Sequence, residues 1–137
     1  MIAVDASALV AIATKEEGDE ALLGALMAGD AVIGTPALHE TFMVLLSRKS
    51  DAADARAFLS WVDGMPNVRV SAFDQVHLGW SRIAIEKFGK GGGSGAKLNI
   101  LDCMAYASAR VADAPLLFTG GDFRKTDIQI HPVSRAD

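Results

Sequence analysis

Met1-Ile2-Ala3-Val4-Asp5-Ala6-Ser7-Ala8-Leu9-Val10 is the stretch whose reading decides the fold. Apolar residues run straight into a carboxylate, and a small polar pair then leads into a helical pattern. A buried parallel strand delivers an acid to the carboxyl edge of its sheet in this way, and that edge is where open α/β sheets bind ligands. Taken alone, Asp5 reads more readily as a helix cap, since Asp before a helix start is common. Its meaning depends on which other groups the chain brings to the same edge.

Outward from that stretch, strands alternate with helices. Ala8 to Lys15 reads as a short helix, and the acidic run Glu16-Glu17-Gly18-Asp19-Glu20 opens a second one to about Met27. Ala31-Val32-Ile33-Gly34 is an apolar strand, followed by Thr35-Pro36, a cap with proline at the first helical position. The helix it starts carries Ala37, Leu38, Thr41, Phe42, Val44, Leu45 and Leu46 on one broad face. Asp51 caps a further helix to about Asp63, Val68 to Ser71 alternates as a third strand, and Asp74 opens a long helix to Phe88. Gly89 to Ala96 is a glycine-rich flexible loop. Leu98 to Asp113 is the next helix, Pro115 to Gly120 an apolar strand, Asp122 to Lys125 a short helical turn, and Ile128-Gln129-Ile130 a last edge strand. Such alternation means parallel pairing through crossovers, an α/β sandwich, and residues 1–137 contain no linker long enough to divide them into two domains.

At 137 residues the chain suits one core. Half the residues are apolar and the mean hydropathy is +0.25, more than one core of this size requires, so apolar surface is expected to be buried against a partner subunit. The apolar runs are too short and too often interrupted to cross a membrane. Met1 opens directly onto the first strand without a leader-like segment, and the single cysteine, Cys103, has no internal disulfide partner. Together these suggest a reducing cytoplasm. A net charge of −4 argues against a domain that holds nucleic acid by a broad basic surface, although a nuclease whose acids are neutralised by cations stays open.

Four acids can be placed by position. Asp5 ends the first strand, and Asp122 follows the apolar strand around Leu117 by the same logic. Asp102 lies in the first turn of a helix beginning near Asn99, and Glu40 in the first turns of its helix, on the side of Ala37 and Val44. All four fall on one rim. Each also has a plainer reading: Asn99 and Asp102 stand at capping spacing, Glu40 suits a solvated helix edge, and Asp122 suits a cap after Gly120-Gly121. Jointly, carboxylates so crowded repel one another unless a cation or raised pKa values relieve them. Oxygen-only ligation suits Mg²⁺ or Mn²⁺, and no His or Cys cluster offers a softer alternative.

The succession Val4-Asp5-Ala6-Ser7-Ala8-Leu9, Pro36-Ala37-Leu38-His39-Glu40, Leu98-Asn99 with Asp102-Cys103-Met104-Ala105-Tyr106-Ala107, and Leu117-Phe118-Thr119-Gly120-Gly121-Asp122-Phe123 with Thr126-Asp127-Ile128 resembles the PIN-domain ribonucleases, and within them the VapC toxins of bacterial type II toxin–antitoxin pairs. The resemblance spans nearly the whole chain. It implies a PIN-like three-layer α/β/α sandwich around a central, mostly parallel sheet of four to five strands. It also implies an Mg²⁺- or Mn²⁺-dependent endoribonuclease that inhibits translation and growth, a homodimer, and a hetero-oligomer with a VapB-type antitoxin. Carried over residue by residue, Asp5, Glu40, Asp102 and Asp122 match the catalytic, metal-binding acids. Ser7 matches a small hydroxyl residue that holds water or phosphate, and Asp127 a further acid near the site, which also suits a cap or a pair with Arg124. The chain departs from many relatives at Ile100-Leu101, where they carry an aromatic residue and a glycine, and in the glycines after Gly89-Lys90-Gly91, where they carry basic or larger residues.

A divalent cation neutralises a phosphodiester and acidifies a coordinated water, leaving Asp102 or Glu40 as the candidate base for that water. Lys97, Lys90, Arg124 and Lys125 lie near the predicted rim as phosphate contacts or as ordinary surface charges. The Gly89–Gly95 loop is no phosphate loop, since it follows a helix and lacks a terminal Gly-Lys-Ser or Gly-Lys-Thr. The second Asp of a phosphohydrolase is replaced by Ser7. The remaining alternative is a non-catalytic interaction module with the same fold. His39, His77 and His131 are expected at the surface or helix edges, Cys103 in the core, and Trp61, Trp80 and Phe88 facing inward.

Overall fold

In a computed structural model, which describes residues 1–134, four short strands form one fully parallel sheet: β1 (Ile2–Val4), β2 (Ala31–Gly34), β3 (Val68–Ser71) and β4 (Leu116–Leu117), in the order β3-β2-β1-β4. Ala3 pairs with Val32 on one side and Leu116 on the other, and Val4 with Leu117. Helices α1 (Ala6–Ala13), α2 (Asp19–Met27), α3 (Thr35–Ser47), α4 (Ala52–Asp63), α5 (Gln75–Phe88) and α6 (Ile100–Ala112) fill the crossovers.

The two-residue alternation of the strands divides the core into two halves. Ala3, Val32 and Leu116 face one way, into a cluster with Ala84 and Phe88 of α5 and Cys103, Ala105, Tyr106 and Ala109 of α6. Val4, Ala31, Ile33 and Leu117 face the other, against Leu9 and Ile12 of α1, Leu22 and Leu26 of α2, Ala37 of α3 and Val62 of α4. The result is the three-layer α/β/α sandwich expected.

Central strands flanked by helices on both faces must be apolar throughout, and Val4, Ile33, Leu116 and Leu117 are all buried. α6 is the helix most enclosed, with Cys103 and every residue from Ala105 to Ala109 buried. Its small side chains allow close packing against the sheet, α3 and α5. Gly34 allows the same at the end of β2, where a Cβ would come within 2.6 Å of Ser108 Oγ on α6.

Several boundaries differ from the expectation for local reasons. α1 begins at Ala6, because Asp5 itself is the cap. Gly34 occupies the cap of α3, with Thr35 and Pro36 already inside the helix. Leu98 bridges to Gly89 across the glycine-rich loop, and α6 starts only after Asn99. Asp122 to Lys125 is a turn without helix, and the expected last strand is a single parallel bridge between Ile130 and Leu116. Nearby backbone bonds, Leu116 N–H to Gln129 O at 2.8 Å and His131 N–H to Leu116 O at 3.0 Å, give the sheet a rudimentary fifth member.

Two side chains lie opposite to expectation. Trp61 is 48 % exposed. His77 is buried, where it completes a capping box with Asp74 at the start of α5 and contacts the Phe73 ring. No helix among the described residues is long and apolar enough to cross a membrane.

Candidate active site

The chain moves from β1 through β2 to β3 in one direction across the sheet and returns to place β4 on the other side of β1. Such a reversal opens a crevice beyond the carboxyl ends of the two strands flanking it. Asp5 emerges there from β1, its N–H donating to Leu117 O of β4 at 2.9 Å. Its carboxylate caps α1, with Oδ2 accepting from Ser7 N–H at 3.0 Å and from Ser7 Oγ–H at 2.6 Å. The Ser7 hydroxyl in turn accepts from Thr119 N–H at 3.0 Å. Ser7 thus ties the first acid to the segment leaving β4, a structural engagement that the sequence pattern does not show.

Asp122 arrives on that segment after Gly120, whose φ of +85° is a left-handed turn that suits glycine. The next residue, Phe123, is fully buried against Phe118 with ring centroids 5.1 Å apart, which anchors the exposed Asp122 beside the cleft. Full burial of a phenylalanine contributes roughly 2–3 kcal/mol.

Asp102 sits at the amino end of α6 in a reciprocal capping box: its N–H donates to Asn99 Oδ1 at 2.8 Å, and its Oδ2 accepts from Asn99 N–H at 3.1 Å. Asp102 is therefore a capping residue that also borders the crevice. Glu40 stands on α3 beside the buried Ala37 and Thr41, half-buried itself.

All four acids line one open cleft of about 210 Å³, together with Ser7, Asn99, Thr119, Glu16 and Arg48. Burial, followed by the charges of Asp5, Asp102 and Asp122, pushes the Glu40 carboxyl up to about 7. Burial, followed by the Asp5 and Asp122 charges and opposed by the Asn99 N–H, raises Asp102 to about 6. Burial raises Asp5 as well, against the hydrogen bonds from Ser7 and Ala6 and in concert with the Asp122 charge. The Asp122 charge acts on Asp5, Glu40 and Asp102 alike, and Asp5 acts on Glu40 and Asp102, which places these groups in a common electrostatic field.

The crowding is looser than the sequence suggests. Among the described residues no three His, Cys, Asp or Glu side chains stand close enough to form a ready-made metal cage. An all-oxygen donor set spread around an open cleft fits Mg²⁺ or Mn²⁺, which bind through a few carboxylates and retain waters, better than an ion that demands a closed protein shell.

Asp127 lies apart from this cleft. It accepts from Tyr106 Oη–H at 2.7 Å and pairs with Arg110 at 2.8 Å, both on α6, rather than with Arg124. Arg110 also donates from Nε to Tyr106 Oη at 3.1 Å, with its guanidinium 5.3 Å from the Trp80 ring centroid. Tyr106 and Arg110 are one helical turn apart and converge on one carboxylate, which a neighbour within the same tight turn does not match. Desolvation raises the Asp127 pKa, but the Tyr106 and Arg110 hydrogen bonds outweigh it and the net shift is downward. None of Lys90, Lys97, Arg124 and Lys125 lines the cleft; among the described residues the basic side chain that does is Arg48, paired with Glu16 at 2.6 Å. Neither residue is a site candidate by sequence pattern, since they lie 32 positions apart. Cys103 is buried and its thiol, pushed up to about 11 by burial and the neighbouring Asp102, is kept protonated.

The fold and this rim of acids define an α/β protein with a carboxylate-lined cleft at the switch point of its sheet. Residues 2–129 match the PIN domain family. A VapC ribonuclease of Mycolicibacterium smegmatis is 39 % identical over 127 residues, covering 91 % of this chain and 95 % of that one. Ribonuclease VapC36 of Mycobacterium tuberculosis is 34 % identical over 132 residues, covering 95 % and 93 %. The crystal structure of M. tuberculosis VapC20, described as a sarcin-ricin loop cleaving toxin, superposes with a TM-score of 0.76 at 18 % identity, covering 96 % of this chain and all of that one, and so shares its fold. The chain belongs to the PIN-domain family, among the VapC proteins.

Proposed function

We propose that this protein is a divalent-metal-dependent endoribonuclease and the toxin of a toxin–antitoxin pair, acting in the cytoplasm as a single PIN domain. The observation that carries this reading is the convergence of Asp5, Glu40, Asp102 and Asp122 at the switch point of the sheet, with three of them held above the ordinary carboxylate range. A cleft of uncompensated acids repels RNA unless a cation is shared between protein and phosphate. Its VapC relatives, named as ribonucleases, support the reaction class.

In this reading Asp5, Asp102, Asp122 and Glu40 hold Mg²⁺ or Mn²⁺, which when bound supplies charge neutralisation for the phosphodiester and a more acidic water. Asp5 is oriented by Ser7, and Asp102 by Asn99, so each presents its carboxylate from a fixed helix terminus. Glu40 has a pKa of about 7, close to neutrality, which suits it to exchange a proton with the attacking water. Inhibition of translation and growth follows from loss of the RNA that is cut.

A VapB-type antitoxin and a second copy of the chain are the expected partners. The half-exposed Met43 and Trp61, with the shallow groove lined by Leu38, Phe42 and Leu59, supply apolar surface for such assembly. Incubation of the purified protein with total RNA and Mn²⁺ tests the reaction: cleavage that stops on addition of EDTA is expected, and intact RNA under both conditions would leave a binding module instead.

A further inference from the structure

The cleft carries a cation that the acid chemistry does not use. Among the described residues five carboxylates line it, from Asp5, Glu16, Glu40, Asp102 and Asp122, against one guanidinium, that of Arg48. Arg48 closes α3, its N–H bonded to Val44 O and Leu45 O, so it continues the row Glu40, Val44, Arg48 along the face of α3 that lines the cleft. Eight residues of helix separate Glu40 from Arg48 by about 12 Å along the axis. With both ends of this row on one cleft, a single strand could reach both, its reacting phosphate at the acids and another of its phosphates at the guanidinium.

Glu16 holds Arg48 in place. Its backbone is pinned by the N–H bond to Ala11 O at 3.0 Å, after Lys15 turns the chain with a left-handed φ of 53°. From there Oε1 meets Arg48 Nη1 at 2.6 Å, with both side chains about half exposed. An ion pair so open to water is weak, so a phosphate can displace the carboxylate readily. Arginine recognises phosphate oxygens with a planar fork of donors and stays charged at any relevant pH.

We propose that Arg48 is a phosphate-binding residue for the RNA strand, held over the cleft by Glu16 until the strand displaces that carboxylate. The proposal rests on the ribonuclease reading above and adds to it a substrate contact outside the four acids. Glu16 then acts as a positioning residue: it keeps Arg48 extended and supplies a negative charge that a bound strand must outcompete.

The test measures binding of a short fluorescein-labelled single-stranded RNA by anisotropy, with Mn²⁺, in an Asp5→Asn background that stops cleavage. Arg48→Gln is expected to weaken binding roughly tenfold and to make the dependence of log K on log salt shallower by about 0.7, the contribution of one phosphate contact on a single strand. Arg48→Lys is expected to restore the salt slope and part of the affinity. Glu16→Gln is expected to tighten binding, and to do so far less when Arg48 is already Gln, which separates release of Arg48 from simple removal of a charge. With Asp5 intact, Arg48→Gln is expected to raise KM for cleavage while leaving kcat within about twofold. Unchanged affinity and slope in Arg48→Gln, with RNA bound and cut by the parent protein, overturns the role of Arg48 alone. Failure of the parent protein to cut RNA overturns the ribonuclease reading and this inference with it.

Discussion

Helix α6 carries two groups of polar residues with opposite electrostatics. At its amino end Asp102 shares a cleft with Asp5, Glu40 and Asp122, where burial and the neighbouring negative charges raise the pKa values of Asp5, Glu40 and Asp102. One to two turns further along, Tyr106 and Arg110 fasten Asp127, whose pKa falls. Both groups contain carboxylates recruited from distant parts of the chain. Only the second has its carboxylate charge matched by a cation, Arg110 on Asp127. A carboxylate cluster left uncompensated points to an external cation or substrate, whereas a compensated one of the same residue types is a fastening.

The largest effect that separates the two groups is catalytic. Asp5→Asn is expected to leave the circular dichroism spectrum unchanged and to lower Mn²⁺-dependent RNA cleavage by a factor of at least about 10², while Asp127→Asn keeps most of the activity. Comparable losses in both would dissolve the distinction.

The next effect is linkage between pH, metal and stability. The folded values of about 7 for Glu40 and about 6 for Asp102 lie above their ordinary 4.5 and 3.8, so the folded protein binds these protons more tightly than the unfolded chain. The stability they contribute is complete below about pH 4 and is lost as pH rises through 6 to 7. Metal-free protein is therefore expected to melt at lower temperature at pH 7.5 than at pH 5, and Mg²⁺ or Mn²⁺ to restore the loss, by about 2.7 kcal/mol at a hundredfold excess over Kd. Asp127→Asn is expected to retain this metal response and Asp5→Asn to need a higher cation concentration for it. A melting temperature indifferent to both pH and cation would contradict the electrostatic picture of the cleft.

Smaller effects concern the fastenings. Asp127→Asn, which removes a half-exposed ion pair and weakens a tyrosine hydrogen bond, is expected to lower unfolding free energy by about 1 kcal/mol in denaturant titrations. Asn99→Ala removes the side-chain cap on the Asp102 N–H and is expected to cost about 1 kcal/mol or less, with a larger proportional loss of cleavage because the first turn of α6, which carries Asp102, loosens although the backbone N–H of residue 99 still reaches the Asp102 carboxylate. Equal and purely thermal effects of the two substitutions would show that the Asn99 box serves only the helix.

The acids of the cleft were readable because local pattern reports where strands end and helices begin. Asp5 stands at the end of an apolar run, Asp102 three residues beyond a capping Asn, and Asp122 after an apolar strand and a double glycine. The resemblance to PIN-domain ribonucleases added what no single acid conveys, their order along the chain. Arg48 with Glu16, and Asp127 with Tyr106, were not readable, because these partners are 32 and 21 residues apart and neither member of a pair marks the other in the local pattern. Trp61 and His77 reversed their expected burial for a related reason: helical periodicity marks a face, but the neighbouring elements decide whether that face is covered. The edge segment at Ile128 to Ile130 has the composition of a strand, yet it makes a single bridge to the two-residue β4.

By itself the sequence determined the alternation of strands and helices, the parallel sheet and the identity of the four candidate acids, since these follow from periodicity, capping and chain order. Tertiary structure alone decided that the acids share one field, that Ser7 joins Asp5 to Thr119, that Asp127 is compensated by Arg110, and that Arg48 faces the cleft. Charge compensation depends on distances between segments remote in the chain, and those distances exist only once the sheet has brought its strand ends together.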